Sequence, residues 1–251
     1  MKMKELINKT ILITGANGLL GKSIVNNFIG KRAKLILIDI KKQKKFKNSH
    51  QYQCDFTNES KRELTFNEIK KKHKKIDIVI NCAGYTNSIK DKNWITSFEK
   101  QDLKNWKNAI EVNLSSIFHL IKVIKKNMPN KNGIIINIGS IYSVLSPDPN
   151  LYIGLPMSSP AAYSASKGGL LLLTKWLAAN LAPNIRVNMI STIGIKNKQS
   201  SIFVNRYLKK IPLKKMCTQQ DVVNMINFLI SEKSNMITGQ NLIIDGGYSL
   251  I

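Results

Sequence analysis

The sequence predicts an α/β protein, a single domain in three α/β/α layers whose doubly wound parallel sheet is covered by helices on both faces. Two observations carry this reading. Short apolar runs of strand length alternate with segments of helical period along the chain. The runs Leu35-Ile36-Leu37-Ile38-Asp39 and Ile134-Ile135-Ile136-Asn137-Ile138-Gly139 are apolar at nearly every position, as parallel strands must be when helices bury both faces. A length of 251 residues suits one such domain better than two.

Strands are expected at 10–14, 34–39, 77–81, 133–139, 184–190 and 241–245, with a short extended piece at 51–55. Helices are expected at 19–30, 59–73, 102–128, 161–181 and 219–231. Pro147, Pro149, Pro156 and Pro160 bar any long regular element from the segment 141–160. That segment and 191–215 are expected to form loops at the substrate side.

Hydrophobic residues make up 43% of the chain and charged residues 22%, a composition that folds rather than staying disordered. No apolar run is long enough to span a bilayer, and the first ten residues lack a signal-peptide core, so a cytoplasmic location is expected. Cys54, Cys82 and Cys217 are odd in number and lack metal-ligand spacing, which argues for reduced thiols and against a disulfide framework or metal site. The net charge of +24 would suit nucleic acid only if it were clustered on a recognition element. The lysines are instead dispersed, with the densest runs at 41–47 and 70–75, so no specific nucleic-acid partner is expected.

Chemistry concentrates at three places. Gly15-Ala16-Asn17-Gly18-Leu19-Leu20-Gly21 joins the first strand to the first helix, and a glycine-rich turn there can hold a pyrophosphate against free helix N–H groups. Asp39 ends the second strand, where a carboxylate can accept hydrogen bonds from both adenosine ribose hydroxyls and repel a 2′-phosphate. NAD is therefore expected over NADP, with Lys41 and Lys42 close enough to soften the preference. Tyr163 and Lys167, four residues apart at the start of a helix, share one face, and an adjacent ammonium favours a phenolate.

Together with further segments these residues resemble the short-chain dehydrogenase/reductase family over nearly the whole chain. Asn81-Cys82-Ala83-Gly84 is similar to its Asn-Asn-Ala-Gly segment, and Cys54-Asp55-Phe56-Thr57 to its Asp-hydrophobic-Thr segment. Glu111-Val112-Asn113-Leu114 and Asn137-Ile138-Gly139-Ser140 resemble the segments that carry the catalytic asparagine and serine. Ile237-Thr238-Gly239-Gln240 and Asp245-Gly246-Gly247 resemble the C-terminal signature.

The resemblance implies a Rossmann fold and hydride transfer between a nicotinamide cofactor and an alcohol or ketone. Tyr163 would exchange the substrate proton, and Ser140 would hydrogen-bond the same oxygen. Lys167 would hold the nicotinamide ribose and lower the tyrosine pKa, and Asn113 would position a water. Gly15, Asn17, Gly18, Leu20, Gly21, Asp39, Asp55, Phe56, Asn81, Ala83, Gly84, Tyr163, Lys167 and Ile193 would contact the cofactor. A homo-oligomer, dimer or tetramer, is also implied. The alternative is a non-catalytic NAD-binding sensor or assembly subunit, which would need only the cofactor site.

Two features depart from the compact family pattern. The glycines follow Thr-Gly-x-x-Gly-x-x-Gly, the spacing of larger relatives acting on nucleotide sugars, and Thr192-Ile193 stands where Pro-Gly is usual. The long stretch between Ser140 and Tyr163 resembles members associated with bacterial surface-polysaccharide and flagellin-glycan pathways. With Tyr142 and Tyr152 to meet a polar ring, and Lys196 and Lys198 to meet an anion, it points to an anionic sugar-derived substrate.

Overall fold

The computed structural model describes residues 6–42, 46–86, 94–156 and 158–251. Residues 1–5, 43–45, 87–93 and 157 lie outside these.

Among the described residues seven strands form one sheet in the order β3-β2-β1-β4-β5-β6-β7, all pairs parallel. They are β1 (Thr10–Thr14), β2 (Lys34–Asp39), β3 (Ser49–Gln53), β4 (Ile78–Asn81), β5 (Gly133–Ile138), β6 (Ile185–Thr192) and β7 (Asn241–Ile244). The seven α-helices among the described residues are α1 (Leu19–Phe28), α2 (Glu59–Lys72), α3 (Leu103–Ile110), α4 (Ser116–Ile124), α5 (Ala161–Leu181), α6 (Ser201–Lys209) and α7 (Gln219–Leu229). The doubly wound architecture expected from the sequence is the one observed.

The apolar strands serve two cores because alternate side chains point to opposite faces. Ile11 and Ile13 join Ile24 and Phe28 of α1 and Val222 and Ile226 of α7 on one face. Leu12 joins Phe66 and Ile69 of α2 and Ile121 of α4 on the other. Burial on both sides is why an alternating pattern is absent from these strands.

Three details differ from the expectation. The strand expected at 51–55 runs Ser49–Gln53, which places Asp55 in the loop beyond its end. The long helix expected at 102–128 is α3 and α4 joined by a π-helical turn, Glu111–Ser115, and followed by a 3-10 turn. The segment 191–215, expected as loop, contains α6, capped by Ser200 and anchored by only two buried side chains, Phe203 and Tyr207. Two apolar anchors among aromatic and β-branched neighbours make a weak periodic signal.

The sheet order reverses between β1 and β4, and in open parallel sheets a crevice forms there, beyond the carboxyl ends of the strands. Thr14 closes its floor by accepting hydrogen bonds from the backbone N–H groups of Cys82 and Ala83, both at 3.1 Å. Among the described residues no helix is long and apolar enough to cross a membrane.

Candidate active site

A cavity of about 740 Å³ occupies this crevice. It is lined by the glycine turn (Gly15, Asn17, Gly18, Leu20 and Gly21), by Asp39, by the Asp55-Phe56 pair and by the Ala83-Gly84 pair. Two glycines are demanded by sterics. A Cβ on Gly21 would sit 2.0 Å from the Gly15 carbonyl oxygen, and one on Gly15, at φ +66°, would sit 2.6 Å from the Ala83 Cα. Helices α2, α3, α6 and α7 begin with side-chain caps, Asn58, Asp102, Ser200 and Thr218. Helix α1 starts at Gly18 with no side-chain cap, so its first N–H groups are left for a ligand at the cavity wall.

The Asp39 carboxylate braces this turn. Its Oδ2 accepts from the Asn17 N–H at 2.8 Å and its Oδ1 from the Lys41 N–H at 2.9 Å. A carboxylate offers about four acceptor positions, so two further donors can still be met. Asp55 is folded into its own turn, accepting from the N–H and hydroxyl of Thr57 at 2.9 and 2.8 Å.

The four expected catalytic residues lie together beside the cavity. Tyr163 and Lys167 project from one face of α5, with the Lys167 Nζ 5.9 Å from the Tyr163 ring centroid. Lys167 is buried and donates to the Ile138 carbonyl at 2.8 Å. Ser140 follows β5 and accepts from the Tyr142 N–H at 3.2 Å, and its hydroxyl acts to lower the Tyr163 phenol. Asn113 is fully buried in the π-helical turn; its Oδ1 accepts from the Tyr85 N–H at 2.7 Å and its Nδ2 donates to Ser166 at 2.9 Å. Ser166 in turn donates to the Tyr163 carbonyl at 2.9 Å. Asn113 thus ties the loop after β4 to the helix that carries Tyr163. π-Turns inserted in α-helices occur frequently at functional sites.

Burial dominates the electrostatics of the pair. Burial raises the Tyr163 phenol above its ordinary value, and the bond from Ser140 pulls it back down. Lys167 is itself lowered by burial to about 8, so part of its ammonium charge is lost just above neutrality. Ser140 favours the phenolate, and desolvation of the pair opposes it.

Asn81, Ile193, Lys196 and Lys198, like Tyr163 and Lys167, are not among the residues that line this cavity. The Asn81 side chain is buried and donates to Asn137 at 2.8 Å, which donates to Thr174 at 2.8 Å; this chain of amides crosses the sheet and does not line the cavity. Ile193 is buried in the core with its N–H bonded to the Ile244 carbonyl. Lys196 and Lys198 are exposed and do not line the cavity. Sequence reasoning missed that Cys82 lines it, with a thiol that burial raises to about 12.

Residues 148–153 of the long segment after β5 contact α6 and the residue just after it. Tyr142 and Tyr152 share a hydrogen bond of 2.8 Å, Tyr152 packs on Phe203, and Phe203 stacks on Tyr207. Arg206 donates to the Ile153 carbonyl, and Lys210 pairs with Asp148 at 2.6 Å.

A family model described as enoyl-(acyl carrier protein) reductase matches residues 15–249. The chain belongs to the short-chain dehydrogenase/reductase family. It is 35% identical to the 3-oxoacyl-(acyl-carrier-protein) reductase FabG of Buchnera aphidicola subsp. Baizongia pistaciae, over 95% of this chain and 96% of that one. It is 29% identical to the post-translational flagellin modification protein A of Campylobacter coli, over 98% and 100%. A short-chain dehydrogenase from Leptospira borgpetersenii, solved with bound NAD+, superposes with a TM-score of 0.87 at 35% identity, covering 98% of this chain and 95% of that one.

As a short-chain dehydrogenase/reductase, the chain is an NAD(P)-dependent oxidoreductase that moves hydride between a nicotinamide cofactor and an alcohol or ketone. The crevice fits such a cofactor: two glycines make room for a backbone-hugging pyrophosphate, an uncapped helix faces it, and a carboxylate stands at the second strand end.

Proposed function

We propose that the chain is an NAD-dependent dehydrogenase of a small, polar, anionic alcohol or ketone derived from a sugar, with Tyr163 as its acid/base. The single observation that carries the choice of NAD is the buried Asp39 carboxylate at the cavity wall, fixed by two backbone N–H groups. Burying a 2′-phosphate against it would oppose like charges. The bound nicotinamide supplies or accepts the hydride. Tyr163 gives the proton to, or takes it from, the substrate oxygen, and Ser140 hydrogen-bonds that oxygen. Lys167 holds the ribose and returns charge to the pair when it is protonated. Asn113 holds the geometry of α5 through its bonds to Tyr85 and Ser166, and would position a water. Asn81 supports the floor of the site from below.

The hydroxyls of Tyr142 and Tyr152, bonded to each other, keep spare hydrogen-bonding capacity that a polar substrate could use, which supports the first reading. The similarity to FabG favours a second reading, a 3-oxoacyl thioester. Steady-state kinetics across sugars, sugar phosphates, nucleotide sugars and a 3-oxoacyl thioester separate the two. Under the first reading a charged sugar derivative is turned over with a KM that rises with salt. Turnover of the thioester alone sinks it.

Exposed apolar side chains on α3 to α5, among them Trp106, Phe118, Leu172 and Trp176, support a homo-oligomer built on these helices in a cytoplasmic enzyme. Light scattering on the parent chain and on Trp176→Asp measures this, with a smaller particle expected for the variant.

A further inference from the structure

On its inward face α2 presents Arg62, Phe66 and Ile69, the spacing of an apolar stripe in which a leucine would satisfy packing at the first position. An arginine stands there instead, with its side chain only 4% exposed. Burying a guanidinium is costly unless its donors are met, and a buried ion pair often adds no stability over apolar residues of the same volume. What distinguishes this one is where its donors go.

Its Nη1 donates to the Phe56 carbonyl at 2.6 Å and to Oε2 of Glu111 at 2.7 Å, and its Nε donates to Nδ1 of His119 at 3.2 Å. A guanidinium only donates, so His119 carries its proton on Nε2, directed at Glu63 Oε2 at 2.6 Å. The three acceptors belong to different elements. Phe56 is in the loop lining the cavity beside Asp55, Glu111 opens the π-helical turn, and His119 is on α4. Two residues beyond Glu111 is Asn113, whose amide holds Tyr85 and, through Ser166, the backbone of Tyr163.

We propose that Arg62 is a positioning residue that clamps the adenosine-side loop to the π-helical turn carrying Asn113, so that filling the adenosine half of the cavity sets the turn that orients α5. The link is a short series of charge-assisted bonds in low-dielectric surroundings. It rests on the cofactor reading given above, because the loop is loaded only when a nucleotide occupies the cavity.

Hydrogen exchange of the full chain, read by mass spectrometry with ADP as the probe, tests it, since ADP fills the adenosine half and carries no nicotinamide. In the parent chain ADP slows exchange in both 54–58 and 110–116, the second by about fivefold or more, the low end of coupling between linked sites. In Arg62→Gln the slowing at 54–58 remains and that at 110–116 is lost, while Arg62→Lys restores part of it. A purely structural role would loosen both segments equally, with or without ADP. Should Arg62→Gln fail to fold, Glu111→Ala removes the second half of the clamp at a side chain 36% exposed and is expected to give the same selective loss. Protection of 110–116 that survives in the folded variants overturns the proposal, as does its absence in the parent while 54–58 is protected. Failure of ADP to bind overturns the cofactor reading and this one together.

Discussion

At the scale of residues, chemistry and stability pull in opposite directions around Tyr163. Tyr163→Phe keeps the packed ring and removes the proton, so turnover is expected to fall by roughly 10² to 10⁴ with NAD binding nearly intact; near-normal turnover would remove Tyr163 from the mechanism. Because burial raises Tyr163 and the Ser140 bond lowers it, alcohol oxidation, which needs the phenolate, should quicken as pH rises, and ketone reduction should slow. Ser140→Ala should move both pH profiles to higher pH as well as lowering the rate, and an unmoved profile would count against that bond. Lys167 tests the same site through stability. Its pKa is lowered on folding, from 10.5 to about 8, so below about 8 both states hold the proton and the fold bears the full cost of the buried ammonium. Between about 8 and 10.5 the unfolded chain binds a proton that the folded one has released, and this group's contribution to stability rises with pH. Lys167→Met should be nearly inactive. In denaturation series its stability should lack that rise, and the parent's should show it.

At the scale of elements, the junction of β1 with α1 is set by contact distances that a single methyl violates. Gly21→Ala would drive a Cβ into the Gly15 carbonyl, forcing α1 away from the turn; an overpacking cost of about 1–3 kcal/mol and loss of the cofactor-induced thermal shift are expected. Gly154→Ala, where φ is +71° and nothing lies within 4 Å, should cost only about 1–2 kcal/mol and leave cofactor binding unchanged. Similar thermal shifts with NAD in both variants would break this distinction. The helical pattern at 102–128 was readable in the sequence, whereas the π-helical turn at Glu111–Ser115 was not, because one extra residue per turn changes backbone bonding and leaves the apolar period nearly intact. Likewise α6 has Phe203 and Tyr207 as its buried residues, and the aromatic wall of Tyr152, Phe203 and Tyr207 exists only once α6 folds over the loop at 141–160.

At the scale of the whole molecule, cofactor choice is measurable without any substrate, since a ligand that binds only the folded state stabilises it by about 2.7 kcal/mol at a hundred times its Kd. NAD should give a larger thermal shift than NADP at equal concentration, and Asp39→Ala should narrow the gap; a larger shift with NADP in the parent chain would refute the assignment to Asp39. The alternation of strand and helix, the glycine turn, Asp39 at its strand end and the Tyr163-Lys167 spacing were determined by the sequence alone, because each depends on local periodicity or on residues a few positions apart. Contacts between distant segments were decided by the tertiary structure. Asn81 was expected beside the cofactor, yet parallel pairing of β4 with β5 sets its side chain against Asn137, which in turn bonds Thr174 of α5. Ile193 is drawn into the core by its backbone bond to Ile244. The raised phenol of Tyr163, the lowered ammonium of Lys167 and the clamp from Arg62 to Glu111 follow from burial, and burial is a property of what the rest of the chain packs around a residue.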